Sequence, residues 1–338
     1  MLMRPRSGRG RKRRALLVVL AAAAVTLAIL RISGHLAWER LLSVTQWAGE
    51  MPAPGSGQRV LVVAPHPDDE ALGCAGVIRR AVTSGAQVHV ALLTNGDASE
   101  LALIFAEKAP RRTASEYRRL GEIRQRESLN ALASLGVPNS HIFFLGYPNN
   151  GLPALLTREH WSPRDAYASP YTHASACPYD RAFTPGAIYC GEQLLADLTQ
   201  VLERTRPTML FVPLPEDMHA DHRATAQAVL TAVTELRARG EPWASAVGLY
   251  AYLVHYRHWP VPRSYSPALG LLPPPTLDDR DWLELALTSD EERAKARAIR
   301  LYHSQEPAFD RLLLSFARTN ECFAQLGDAD LPAALPPR

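Results

Sequence analysis

The apolar run Val60-Leu61-Val62-Val63 leads directly into Ala64-Pro65-His66-Pro67-Asp68-Asp69-Glu70, so one imidazole and three carboxylates crowd the point where a strand gives way to what reads as a helix. Polar side chains at such a turn are a mark of α/β proteins, whose strand ends line the ligand crevice. Pro67 has no N–H and a fixed φ, which suits a first helical turn, and the positive end of a helix favours ionised Asp. His with Asp is a donor set suited to Zn²⁺ or a similar divalent ion, with the adjacent carboxylate left over as a base. The plainer reading of the same residues is an Asp N-cap beside a bystander His.

A second cluster changes the balance. Pro207-Thr208-Met209-Leu210-Phe211-Val212-Pro213 reads as another strand, and its loop carries His219-Ala220-Asp221-His222. A helical run over 223–239 follows, with Ala226, Val229, Leu230, Val233 and Leu236 near helical spacing and Gly240 as a stop. Both clusters therefore leave the same ends of their strands, and in an open parallel sheet those ends form one crevice. A lone HxxH on a loop is commonly solvated, whereas two clusters converging on one edge point to a His/Asp/His metal site.

With these motifs the chain resembles the LmbE-like or PIG-L family of zinc-dependent N-acetylglucosamine deacetylases. His66 to Glu70 stand where the family has its HPDDE signature, and His219 to His222 where it has HxDH. Thr94-Asn95-Gly96-Asp97, Arg124-Gln125-Arg126-Glu127 with Leu135-Gly136-Val137, and Lys295 with His303-Ser304-Gln305 resemble its remaining segments, so the likeness spans 58–306. It implies that His66, Asp69 and His222 ligate the metal, with positions open for water and the substrate acetyl oxygen. It implies Asp68 as the general base, which takes the proton of the attacking water. His219 would face the developing oxyanion or protonate the departing amine, and Asp221 would orient an imidazole. Arg124 would contact substrate, the alternative being a helix ion pair. Where the family often has Asp after its L-G-x-P segment, this chain has Asn150, a neutral amide that can bond a sugar hydroxyl but cannot act as an acid. Glu70 reads as a first-turn dipole partner, and the other histidines, His255 among them, match nothing in the pattern.

Charge is distributed unevenly. Residues 1–14 carry seven basic side chains and no acid, followed by sixteen uncharged, largely apolar residues over 15–30. Setting those seven aside leaves 30 basic against 34 acidic residues, so the basic pI belongs to the tail and nucleic-acid binding by the folded part loses its support. The basic block is expected to stay cytoplasmic and 15–30 to act as an uncleaved transmembrane signal anchor, placing the remainder on the extracytoplasmic side. In that compartment Cys177 and Cys190, in an insertion over 152–190, could pair.

Strand-like runs at 60–64, 88–93, 141–145, 209–212, 247–254 and 282–287 alternate with helical runs at 71–84, 114–135, 191–204, 224–239 and 290–302. The expected fold is α/β: a Rossmann-like, doubly wound, mainly parallel sheet in one large domain. The partition is a basic tail (1–14), a membrane anchor (15–30), a linker (31–57), the catalytic domain (58–306) and a C-terminal extension (307–338). The function these features imply is zinc- or other divalent-metal-dependent deacetylation of an N-acetylated amino sugar in an envelope glycan or glycolipid. Alternatives are hydrolysis of another N-acyl amide, or a non-catalytic carbohydrate-binding surface protein. Binding alone does not need Asp68 beside a full ligand set.

Overall fold

A computed structural model of the chain describes residues 47–105 and 112–332. The expected basic tail and membrane anchor lie outside these residues. Among the described residues no helix is long and apolar enough to cross a membrane.

Eight strands form one sheet: β1 (Gly49–Glu50), β2 (Arg59–Ala64), β3 (Gln87–Thr94), β4 (Ile142–Tyr147), β5 (Met209–Pro213), β6 (Gly248–Tyr252), β7 (Trp282–Ala286) and β8 (Asn320–Leu326). Their order is β1-β7-β8-β6-β5-β2-β3-β4. β2 is buried along its length apart from the partly exposed Arg59. Such continuous apolar runs are what a parallel strand covered on both faces requires. β2 pairs in parallel with β3 on one side and with β5 on the other, in the register Val60↔Met209, Leu61↔Leu210 and Val62↔Phe211. From β2 the order runs to β3 and β4 in one direction and to β5 and β6 in the other. The β2–β5 boundary is thus the topological switch point, where neighbouring connections diverge and leave a crevice.

The helices that matter here are α1 (Asp69–Thr83), α2 (Ala114–Leu135), α3 (Gly191–Thr205), α4 (Ala220–Ala238) and α5 (Ser289–Ile299). α1, α2 and α5 pack against one another, and α3 packs against α4. α2 begins at a reciprocal capping box between Thr113 and Glu116 and ends at Gly136, whose φ of 95° lies in the left-handed region. These local signals account for the close agreement of its ends with the sequence pattern.

Three differences from the expected organisation stand out. β8 was not anticipated, and it lies antiparallel between β6 and β7, which makes the sheet mixed. Residues after 306 therefore complete the sheet instead of extending beyond the domain, and β1, within the supposed linker, pairs with β7. The reason is Glu321: a carboxylate in a short segment reads as a solvated position, yet here it is fully buried. It accepts the N–H groups of Gly76 (2.7 Å) and Val77 (2.9 Å) and pairs with buried Lys295 Nζ at 2.7 Å. Second, the 152–190 insertion is tied down: Tyr179 donates to Asp97 at 2.5 Å, Tyr189 donates to the Gly146 carbonyl at 3.0 Å, and Leu152 and Leu155 join the core. Third, Cys177 and Cys190 are both buried free thiols, so the expected pairing is not made. A Cβ at Gly146 would come within 2.4 Å of the Cys177 sulfur, which shows how closely that thiol is packed onto the end of β4.

The Lys295–Glu321 pair yields a test. Lys295→Met leaves a carboxylate buried without its counter-charge, so urea unfolding should show a loss of about 3–5 kcal/mol. Adding Glu321→Gln should recover part of it. If the single variant is as stable as the natural chain, the pair does not hold β8 to α5.

Candidate active site

The turn after β2 and the loop after β5 meet at the switch point. Asp68 is the N-cap of α1 and has φ 115°, a conformation costly for a residue with a Cβ. Helix α1 starts at Asp69, so Pro67 lies before the first turn and not within it. The Asp68 N–H donates to Glu70 Oε2 at 3.2 Å, and Tyr302 OH donates to the other oxygen of that buried carboxylate. Glu70 is thus a brace for the strained turn, a role beyond that of a dipole partner. On the facing loop, His219 caps α4, its Nδ1 accepting the Asp221 N–H at 3.2 Å.

Asp69 joins the two motifs. Its Oδ2 lies 3.1 Å from His66 Nδ1 and 3.1 Å from His222 Nε2, and it also accepts the His66 N–H at 3.0 Å. A second layer of carboxylates stands behind the rings. Asp221 Oδ2 is 3.0 Å from His66 Nε2, and its oxygens accept the N–H groups of Asn150 (2.7 Å) and Leu152 (3.2 Å). Asp217 Oδ2 is 3.1 Å from His222 Nδ1, and Asp217 accepts the N–H groups of His219 (2.8 Å), Val254 (3.2 Å) and His255 (3.0 Å). Such outer carboxylates fix the tautomer and orientation of an imidazole ligand.

The expected residues His66, Asp68, Asp69, His219, Asp221 and His222 are all brought together. Asp221 does face an imidazole, that of His66. Asn150, with φ 62°, presents an exposed side chain while its N–H holds Asp221. Arg124 does not make the helix ion pair that was its alternative role. It is buried, with Nη2 3.2 Å from Asp68 Oδ2 and also on the Pro67 carbonyl, and Nη1 3.0 Å from the Gly96 carbonyl. Its charged partner is the candidate base and not Glu127, which instead accepts Ser304 N–H and Oγ–H at 2.8 and 2.6 Å. Gly96 permits this approach: at φ 63°, a Cβ there would fall 1.9 Å from Arg124 Nη1. Asp217 and His255 were missed. For Asp217 a signal existed, an acid at the start of the His219 loop; His255 had none, because only the β5–β6 pairing carries it to the site.

The electrostatics follow from burial with paired charge. Burial pulls the His66 imidazole down, but its hydrogen bonds to Asp221 and Asp69 outweigh this and push it up to about 9. For His222 burial likewise pulls down, while the charges of Asp69 and Asp217 raise it to about 10. Asp68 is pushed up to about 7, chiefly by burial and further by Asp69, with Arg124 acting in the opposite sense. Burial, reinforced by the charges of His66 and His222, takes His219 down to about 3, so it is a neutral imidazole.

Do these donors fit a divalent cation? Both ring nitrogens of His222 are fully buried, and each faces a carboxylate oxygen at 3.1 Å without an aligned hydrogen bond. A buried polar atom left in that state is costly unless something else occupies its lone pair. One ligand atom each from His66, His219 and His222 lies within 4.8 Å of the others, and the same holds for Asp69, His222 and His255. Imidazoles with one carboxylate, backed by further carboxylates, match the donor chemistry of zinc.

Comparison with known proteins places this geometry in context. The GlcNAc-PI de-N-acetylase family, PIG-L, matches residues 61–233, just over half of the chain. The chain is similar to the 1D-myo-inositol 2-acetamido-2-deoxy-alpha-D-glucopyranoside deacetylase of Tsukamurella paurometabola, at 27% identity over 78% of this chain and 88% of that protein. The protein of the same name from Thermomonospora curvata is 28% identical over 57% of this chain, a match that spans only 59% of its own length. Among solved structures, the N,N'-diacetylchitobiose deacetylase of Pyrococcus horikoshii aligns over 80% of this chain and 84% of its own, at 20% identity and a TM-score of 0.48. The family match covers β2 through most of α4, and so both motifs of the site: the chain belongs to the PIG-L family.

Proposed function

We propose that the protein is a metal-dependent hydrolase that removes the acetyl group from an N-acetylated amino sugar of the N-acetylglucosamine type. The observation that carries this reading is Asp68: a carboxylate near neutrality, kept off the ligand cluster by a strained turn, beside Asp69 between two imidazoles. The relatives named above, deacetylases of a 2-acetamido sugar by name, support the substrate class.

His66, Asp69 and His222 would hold the cation, zinc or another divalent ion, which when bound supplies Lewis-acid polarisation of an amide carbonyl and acidifies water. The rest of the chemistry belongs to the chain. Asp68 takes the proton of the attacking water, and Arg124, fixed on two carbonyls, holds its carboxylate in place. His219 accepts the Asp221 N–H at Nδ1, so its proton is on Nε2, and a neutral imidazole in that tautomer is a hydrogen-bond donor suited to the oxyanion. Its depressed pKa favours that role over protonating the amine. Asn150 offers its exposed amide to a sugar hydroxyl. The envelope location is part of the same proposal: the basic block over 1–14 and the apolar run over 15–30 would leave the catalytic domain outside the cytoplasm, near glycan or glycolipid substrates.

Two tests separate the parts. Asp68→Asn keeps size but removes basicity, so acetate release from N-acetylglucosamine conjugates should fall by about 10²–10⁴ with metal content unchanged. Asp69→Asn should instead lose metal, with activity partly restored by excess cation. Normal turnover in a metal-replete Asp68→Asn protein would remove the base from this mechanism. For location, a reporter active only outside the cytoplasm, fused after residue 50, should be active; a silent fusion there, with a cytoplasmic reporter working at the same point, would reverse the topology.

A further inference from the structure

The proposed reaction leaves His255 without a task, yet its ring lies against two residues that carry it. The centroid is 4.7 Å from that of His222, edge-on at 73°, and 5.1 Å from that of His219. Its position is fixed from below. The N–H groups of Val254 and His255 both donate to Asp217 Oδ2, the same oxygen that faces His222 Nδ1 at 3.1 Å. One carboxylate thus sets the His222 ring and the segment bearing His255 relative to each other. The consequence is a second three-donor group, Asp69, His222 and His255, as close-knit as His66, His219 and His222.

We propose that Asp69, His222 and His255 form a second position for a borderline divalent cation, overlapping the one in which His66 takes part. The inference rests on the metal-holding reading above and goes beyond it by giving the chain a ligand outside the two motifs. Nitrogen and carboxylate donors of this kind suit Zn²⁺ or Co²⁺. A neutral imidazole has one lone pair, so His222 serves one ion at a time and the two positions exclude each other. Holding the cation on the His255 side moves it away from His66 without releasing it. The capacity of the chain therefore stays at one ion, while the number of side chains able to retain that ion exceeds three.

Equilibrium dialysis of the full chain against Zn²⁺ tests this without reference to activity. His66→Ala should still hold one cation per chain, more weakly than the natural protein, because the Asp69–His222–His255 group remains. The double variant His66→Ala/His255→Ala should hold none at the same free Zn²⁺. Circular dichroism checks that each variant is folded, and His66→Gln with His255→Gln provides a second, size-matched pair. Loaded with Co²⁺, the His66→Ala protein should show a visible absorption band that His255→Gln removes. If folded His66→Ala binds no cation, or if the single and double variants bind equally, the second position does not exist. His222→Ala belongs to both groups and should abolish binding; full binding there would overturn the metal reading itself.

Discussion

The parallel pairing of β2 with β5 is the constraint on which the site depends. Three registered residue pairs bring the turn after Ala64 beside the loop after Pro213, and only then can Asp69 reach His66 and His222 together. Because β3 and β6 lie on opposite sides of this boundary, the connections that leave β2 and β5 diverge there and open the crevice. A slip in this pairing would separate the motifs, since each is anchored to its own strand end.

Three buried aspartates within one cluster would be costly if their oxygens were unpaired. Here they are met by backbone donors: His66 N–H for Asp69, Asn150 and Leu152 N–H for Asp221, and His219, Val254 and His255 N–H for Asp217. The loops that supply these groups are therefore part of the site's electrostatics, and not merely its connections. This arrangement leaves the carboxylates ionised against histidine rings, while Asp68, in a strained turn and less well paired, sits near neutrality. The same short segment thus sets Asp69 between two imidazoles and its neighbour Asp68 against Arg124.

A layer of buried pairs farther from the crevice keeps the turn in place. Tyr302 holds Glu70, Ser304 holds Glu127, and Glu321, paired with Lys295, accepts the N–H groups of Gly76 and Val77, so the C-terminal part of the domain is bonded to α1 and α2 at several points. The lysine and the H-S-Q segment noted in the sequence are thereby structural supports. They stabilise a conformation at Asp68 that its own backbone preference opposes.

How much of this could be read from residues alone follows from what is local. Apolar runs and capping residues placed six of the eight strands and five helices, and two short motifs located the histidine and aspartate cluster, because strand-to-helix turns carry their signal within a few residues. The strand β8 was hidden because its decisive residue, Glu321, looks solvated until Lys295 and two backbone N–H groups are brought to it. Arg124 was legible as a functional arginine, but its partner was not: only folding brings α2 under the Gly96 turn and gives the guanidinium to Asp68. The sequence by itself determined the α/β class, the family and the positions of both motifs. Tertiary structure alone decided which carboxylate backs which imidazole and that His255 joins them, since those contacts link segments far apart in the chain and depend on strand register.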